Sequence, residues 1–167
     1  GVPVPGHRIL DAIQEQTIDS RLDASPQISW ANWQCRRYQG RLYVVPQLPA
    51  LDVDRVWHCG VSSVLADVGF GEVSFAPASG CGMRVDEENP LTIMFAREGV
   101  RCRPAGRAHS QTLKKLFQAA AIPPWLRERT PLIYQGDQLL AVGDWWICAD
   151  AVVSEDESGY IPQWDIG

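Results

Sequence analysis

LKKLFQAAAIPPWLRERTPLIY, residues Leu113–Tyr134, holds a helix, its stop and the strand after it. Leu113, Leu116, Phe117 and Ala120 recur at i, i+3, i+4 and i+7, the spacing of one buried helical face. Lys114, Lys115 and Gln118 fall on the opposite side, where the two ammonium groups can meet solvent or phosphate. The spacing predicts a helix from Ser110, read as its N-cap, to Ile122, where Pro123-Pro124 forbids continuation. Pro131–Tyr134 then reads as a strand, and Gln135-Gly136-Asp137 as the turn into the next one.

Outward from this stretch, short apolar pieces at Val56-Trp57, Val73–Phe75, Leu91–Phe95, Leu139–Val142 and Trp145–Ala149 alternate with Gly, Asn and Asp turns. They indicate a mostly β domain, β-sandwich-like with one main helix. Upstream, Gly6–Ser20 reads as a short helix with Ile9, Leu10 and Ile13 on one side. Ile28–Cys35 and Arg41–Val45 read as two strands joined through Arg36–Gly40, where Gly40 supplies the freedom of a hairpin turn. Pro46–Asp52 breaks both periodicities and serves as a linker. The expected class is α+β: a small helix-plus-hairpin domain over residues 1–50, shortened at its start, then a mostly β domain over 51–167. Ser154–Ser158, which carries three acidic residues, reads as a mobile loop.

The chain has fifteen Lys and Arg against twenty Asp and Glu, a formal net charge of -5. Charge is unevenly placed. Arg97–Arg129 holds eight basic residues against Glu98 and Glu128, net +6, and leaves seven against eighteen elsewhere, net −11. A local basic face can draw a polyanion to an acidic molecule, because screening over roughly 8 Å at physiological salt isolates it from distant charge. Charge alone leaves a second reading open, in which these arginines pair with the surplus acids.

Cys35, Cys59, Cys81, Cys102 and Cys148 are widely spaced, and neither they nor His7, His58 and His109 have zinc-site spacing, so free buried thiols are expected. No apolar run approaches the ~20 residues that span a bilayer. The chain opens on Gly1 rather than Met, which points to a longer protein with its missing part upstream. A cytoplasmic location with no membrane partner follows as an expectation.

In order along the chain, Arg101-Cys102-Arg103-Pro104, Leu113–Gln118, Pro124-Trp125-Leu126-Arg127 and Leu140-Ala141-Val142 resemble the C-terminal domain of the tRNA(Ile)-lysidine synthetase family. Arg36–Tyr43, reading RRYQGRLY, resembles the end of that family's middle, substrate-binding domain. The resemblance implies a ligase that uses ATP and Mg²⁺ to adenylate the wobble cytidine of the AUA-reading isoleucine tRNA, after which lysine displaces AMP. It also implies that these two domains hold the tRNA, notably its acceptor stem, for an upstream catalytic domain of the same protein.

The family's phosphate loop, Ser-Gly-Gly-x-Asp-Ser, has no counterpart here. Ser79-Gly80-Cys81-Gly82-Met83 comes nearest but lacks the acid and serine that follow, and reads as a turn. The resemblance therefore implies no catalytic residue, no metal site and no cofactor in these residues. It carries tRNA contact onto Arg101, Arg103, Arg107, Lys114, Lys115 and Arg127, with Arg36, Arg37 and Arg41 as a secondary set at an exposed hairpin bend. The alternative is an autonomous protein-interaction or structural domain of the same fold, whose basic stretch meets an acidic protein surface. Trp125, after the helix stop, reads as a core plug rather than a base-stacking platform. Asp86-Glu87-Glu88, ahead of Asn89-Pro90, reads as a solvated turn.

Overall fold

The computed structural model describes residues 3–18, 27–68 and 71–166. The chain forms two compact units, Gly1–Ala50 and Leu51–Gly167.

In the first unit, helix α1 (His7–Ile13) runs into a π-helical turn, Gln14–Ile18. The end expected at Ser20 lies outside the described residues. No α1 side chain is fully buried, and Leu10, expected on an inner face, is exposed. Three antiparallel strands follow: β1 (Gln27–Trp30), β2 (Trp33–Tyr38) and β3 (Arg41–Pro46). The strand expected over Ile28–Cys35 is thus broken by a turn at Ala31-Asn32, and Ala31 takes a left-handed φ of 47°. Its register, Ile28↔Cys35, places both residues in a small buried core. Between β2 and β3, Gln39 and Gly40 have φ of 47° and 73°. Two successive positive values match the right-handed twist of a hairpin, and Gly40 adopts one without steric cost.

The second unit is organised around an antiparallel sheet. Its strands are β4 (Val56–Cys59), β7 (Leu91–Phe95), β10 (Pro131–Gln135), β11 (Gln138–Val142) and β12 (Trp146–Ile147), in the order β12-β11-β10-β7-β4. A second sheet, β13-β6-β5, comprises β5 (Leu65–Val68), β6 (Gly71–Ser79) and β13 (Ser158–Asp165). The small hairpin of β8 (Arg101–Cys102) and β9 (Gln111–Thr112) leads into helix α2 (Leu113–Ala119), followed by one turn of helix, α3 (Pro124–Arg127).

Cross-strand partners share a face, so the pairings Val56↔Met94, Met94↔Leu132, Leu132↔Val142 and Val142↔Trp146 define one side of the main sheet. Helix α2 packs on that side at the β12 end, its Phe117 ring lying 5.6 Å from Trp146. The opposite side carries Ile133, Ile93 and Phe95, with Trp57 set edge-on to Phe95 at 5.3 Å. Leu132, Ile133, Leu91, Ile93, Ala141 and Val142 are wholly inaccessible, and Leu113, Leu116 and Phe117 join the same core.

The helix is shorter than its periodicity suggests. Thr112, not Ser110, is the N-cap: its Oγ1 accepts from the Lys115 amide, while Gln111-Thr112 pairs with β8. At the other end the Ile122 amide bonds the Phe117 carbonyl at 2.9 Å and the Ala121 amide bonds Gln118 at 3.1 Å, with Ala121 at φ 55°. This paired bonding around a left-handed residue closes the helix before the prolines. It leaves Ala120 exposed rather than buried.

Strand β13 carries no recognisable alternation. Tyr160, Pro162 and Trp164 point inward, while its one aliphatic residue, Ile161, points outward. Pro162 is tolerated because β13 is an edge strand. The acidic stretch before it, expected as a mobile loop, forms a hydrogen-bonded turn. Glu157 accepts from the amide and hydroxyl of Ser154 at 2.8 and 2.9 Å and pairs with Arg84 at 2.6 Å.

Two tests follow from these features. Ala121→Gly removes the steric cost of a left-handed alanine, roughly 1–2 kcal/mol, against a smaller cost from the greater unfolded-state entropy of glycine. The melting temperature is expected to rise by a few degrees, and a fall would contradict this helix end. The Arg84 guanidinium and the Ser154 donors hold the Glu157 carboxyl down at about 2. A depressed carboxyl adds stability above the ordinary glutamate range and loses it as pH falls towards 2. The stability gap between wild type and Glu157→Gln should be small, since the pair is exposed, and should close between pH ~4.5 and ~2 in thermal melts.

Candidate nucleic-acid interface

The β8–β9 hairpin sets the position of the cations. Its register, Arg101↔Thr112, brings Arg101 beside the first turn of α2, which carries Lys114 and Lys115 on its exposed side. The loop between the strands, residues 103–110, is bonded to the end of the main sheet. The Ala105 amide donates to Ile147 O at 2.9 Å, the Ala149 amide to Arg103 O at 2.7 Å, and Pro104 bridges Cys148. The Arg107 amide returns to Pro104 O at 3.0 Å. Loop, helix start and sheet end are thus one hydrogen-bonded corner bearing Arg101, Arg103, Arg107, Lys114 and Lys115.

These cations do different work. Arg107, Lys114 and Lys115 are exposed and form no ion pair among the described residues. Arg101 donates to Ser110 O at 2.8 Å, which braces the loop and leaves its charge unneutralised. Arg103 pairs with Asp150. Arg127, at the end of α3, donates from Nε to Ile122 O at 2.6 Å and so ties down the far end of α2. Seven residues at 1.5 Å each put the two ends of α2 about 10 Å apart. Arg127 is therefore not part of the corner. Arg97 lies 3.4 Å from Asp54.

Arg36, Arg37 and Arg41 belong to the first unit and are not gathered at an exposed bend. Arg36 and Arg37 lie within β2: Arg36 donates twice to Gln34 Oε1, at 3.0 and 2.8 Å, and Arg37 donates to Thr17 O at 3.1 Å. Only Arg41 stands next to the turn and is exposed.

Trp125 is half-buried, and its neighbour Leu126 packs on the core. Cys81 is exposed, whereas Cys35, Cys59, Cys102 and Cys148 are buried thiols. Cys102 and Cys148 lie beneath the corner with sulfurs 2.8 Å apart. Their hydrogen bond lowers the pKa of Cys102, and together with burial it raises that of Cys148. Asp86 closes its own turn, accepting from the Glu88 amide at 3.0 Å and the Asn89 side chain at 2.6 Å. Among the described residues no group of three His, Cys, Asp or Glu could hold a metal ion, and no helix is long and apolar enough to cross a membrane. Sequence reasoning missed the partnership of the hairpin loop with Ile147–Ala149, because two-residue strands leave no periodic trace.

Fold and corner together define a class: a small helix-and-hairpin unit joined to a β-sandwich-like unit that presents cations at the root of its main helix. Two models of one family match the chain, the TilS substrate binding domain over residues 1–43 and the TilS substrate C-terminal domain over residues 91–164. Curated relatives agree. The tRNA(Ile)-lysidine synthase of Serratia proteamaculans is 39% identical over 142 residues, covering 84% of this chain and 32% of its own. That of Methylococcus capsulatus is 30% identical over 169 residues, covering 98% and 38%, and that of Coxiella burnetii 33% over 162 residues, covering 96% and 36%. A crystal structure of a TilS C-terminal domain superposes with a TM-score of 0.51 at 21% identity, covering 66% of this chain and 97% of that one, a likeness of fold. The chain belongs to the TilS family and carries its substrate-binding and C-terminal domains. It spans about a third of the length of the curated relatives it matches.

Lys114 and Lys115 lie off the buried stripe of α2, so charge reversal there should leave the core intact. The double variant Lys114→Glu/Lys115→Glu is expected to melt within a degree or two of wild type, since such surface changes stay near ±0.5 kcal/mol. A large loss of thermal stability would contradict the placement of these side chains.

Proposed function

We propose that these two domains hold tRNA(Ile) for a lysidine-forming ligase and do no chemistry themselves. The observation that carries this reading is that Arg107, Lys114 and Lys115, exposed and in no ion pair among the described residues, are borne by the loop and the helix that the β8–β9 ladder joins, in a member of this family. Ammonium and guanidinium groups held at fixed spacing suit phosphate oxygens. Phosphate contacts fix register without reading sequence, and duplex RNA offers chiefly its shape and its 2′-hydroxyls. An acceptor stem meets both conditions. Arg101 and Arg127 act mainly as braces, and Arg103 becomes available when Asp150 releases it. Arg41 is the first unit's candidate for a secondary contact.

ATP and Mg²⁺ would be used by a catalytic domain outside these residues, in the cytoplasm, where the tRNA is found. The glycine-rich run Ser79–Met83 does not fit a nucleotide. An atom added at Gly80 would meet Glu155 O at 2.8 Å, and one at Gly82 would meet Tyr160 O at 2.8 Å, so these backbone faces are already packed against the chain. The energetic role of the domains is positioning, since a tRNA gripped at its stem presents its distant wobble base in a restricted orientation.

Binding of the AUA-reading isoleucine tRNA, measured by fluorescence anisotropy across a salt series, tests the reading. Affinity should fall with salt at a log-log slope of roughly 0.7 to 0.9 per phosphate contact. The triple variant Arg107→Glu/Lys114→Glu/Lys115→Glu should weaken binding at least tenfold and flatten the slope by about two to three. Asp150→Asn, which frees Arg103, should tighten binding. Affinity that is independent of salt, or indifferent to the triple variant, would sink the proposal.

A further inference from the structure

Beside the basic corner lies an open recess of about 290 Å³, lined by Pro104, Asp144, Trp145, Trp146, Ile161 and Pro162 among others. We propose that it receives one unpaired nucleobase, stacked on Trp145, while Arg107 holds the adjoining phosphate; this rests on the reading that the unit meets RNA.

The recess is built rather than incidental. Trp145 sits in the turn after β11, its amide bonded to Val142 O at 3.1 Å, and 37% of it is exposed. Its indole lies against Gly143, where an added Cβ would meet Trp145 Cδ1 at 2.8 Å and Nε1 at 3.1 Å. Gly143 has φ +52°, a conformation that glycine adopts freely. The exposed ring is therefore held by a backbone that only glycine supplies. Trp146 is fixed from behind by Phe117 of the helix that carries Lys114 and Lys115.

One wall of the recess is the basic loop itself. Pro104 and Ala105 line it, Arg103 precedes them, and the Arg107 amide bonds back to Pro104 O. Any ligand in the recess thus lies against the loop that carries Arg103, paired with Asp150, and Arg107. Its size is just under the roughly 300 Å³ at which drug-sized pockets begin, which suits a single planar ring.

Chemistry selects the ligand. A planar ring stacks on indole, the Asp144 carboxylate accepts from amino or imino N–H groups, and the cations beside the recess call for an anion attached to the ring. A nucleotide unites all three, and base–aromatic stacking tolerates any sequence. An acidic peptide would satisfy the cations but set its carboxylates against Asp144. A tRNA stem that ends in single-stranded nucleotides would engage corner and recess together.

The test uses this chain with two RNA hairpins of identical stem, one blunt and one with a short 3′ single-stranded extension. The extension should tighten binding at least about fivefold. Trp145→Ala should abolish that gain and leave blunt-hairpin affinity unchanged, while Trp145→Phe, which keeps a ring, should restore most of it. Circular dichroism of each variant checks the fold. Equal affinity for the two hairpins, or a gain that persists in Trp145→Ala, would overturn the recess. Loss of blunt-hairpin binding by wild type would instead count against RNA contact at the corner. In that event an extension-dependent affinity that still requires Trp145 supports the recess, and its absence overturns it. Preferential competition by an acidic, phenylalanine-containing peptide would also overturn it.

Discussion

Strand β10 is buried on both faces, and the second unit is arranged to meet that demand. Pro131, Leu132 and Ile133 are successive buried residues on the strand at the centre of the five-stranded sheet. Successive side chains point to opposite sides, so water must be excluded from both. On one side α2 shields the sheet at its β12 end, through Phe117 on Trp146; on the other, Trp57 lies edge-on to Phe95 beside Ile93 and Ile133. A helix seven residues long has little stability of its own in water and is held by its apolar face. Its polar face must then turn outward, and that face bears Lys114 and Lys115. The placement of the cations is a by-product of burying the apolar face of α2 in the core.

The same contact links the recess to the corner. Trp146 is at once the residue on which α2 packs and part of the wall beside Trp145. The hairpin loop reaches this place through two backbone hydrogen bonds, Ala105 to Ile147 and Ala149 to Arg103, which set Pro104 opposite Cys148. Backbone links to a sheet edge fix a loop more tightly than side-chain contacts, because each satisfies an otherwise unpaired polar group. An anion approaching the corner meets charges that need little ordering, which reduces the entropic cost of association.

What the sequence disclosed depended on how local the signal was. The stripe Leu113, Leu116, Phe117 was legible because it is periodic, and the Gly40 turn because glycine marks it. The helix ends were not. A sequence-local reading favours Ser110 as cap, but Gln111 and Thr112 are drawn into pairing with Arg101 and Cys102, so Thr112 is the first residue free to cap. Ala121 closes the helix in a conformation usually left to glycine, a choice composition does not betray. Strand β13 was hidden because an edge position admits Pro162 and because its inward residues are Tyr160, Pro162 and Trp164 rather than aliphatics. The basic stretch was visible as a count of charges, whereas the duty of each charge was not. Only coordinates separate Arg101, which braces a loop, from Arg107, which does not.

That division of labour bears on why an acidic molecule can present a polyanion-binding face at all. Of the eight basic residues from Arg97 to Arg129, Arg97 and Arg103 are paired with Asp54 and Asp150, Arg101 and Arg127 donate to backbone carbonyls, and Arg129 is also engaged. A guanidinium bonded to a neutral carbonyl keeps its full charge, and one paired with a carboxylate does not. The local field is therefore set by Arg107, Lys114 and Lys115, reinforced by Arg101 at the hairpin. Acids further away than roughly one screening length weaken this field little, and Asp150, which is close, is paired with Arg103. The sign of the whole chain and the sign of its working surface are then independent quantities. Only the second is fixed by the fold, through the apolar face that α2 must bury.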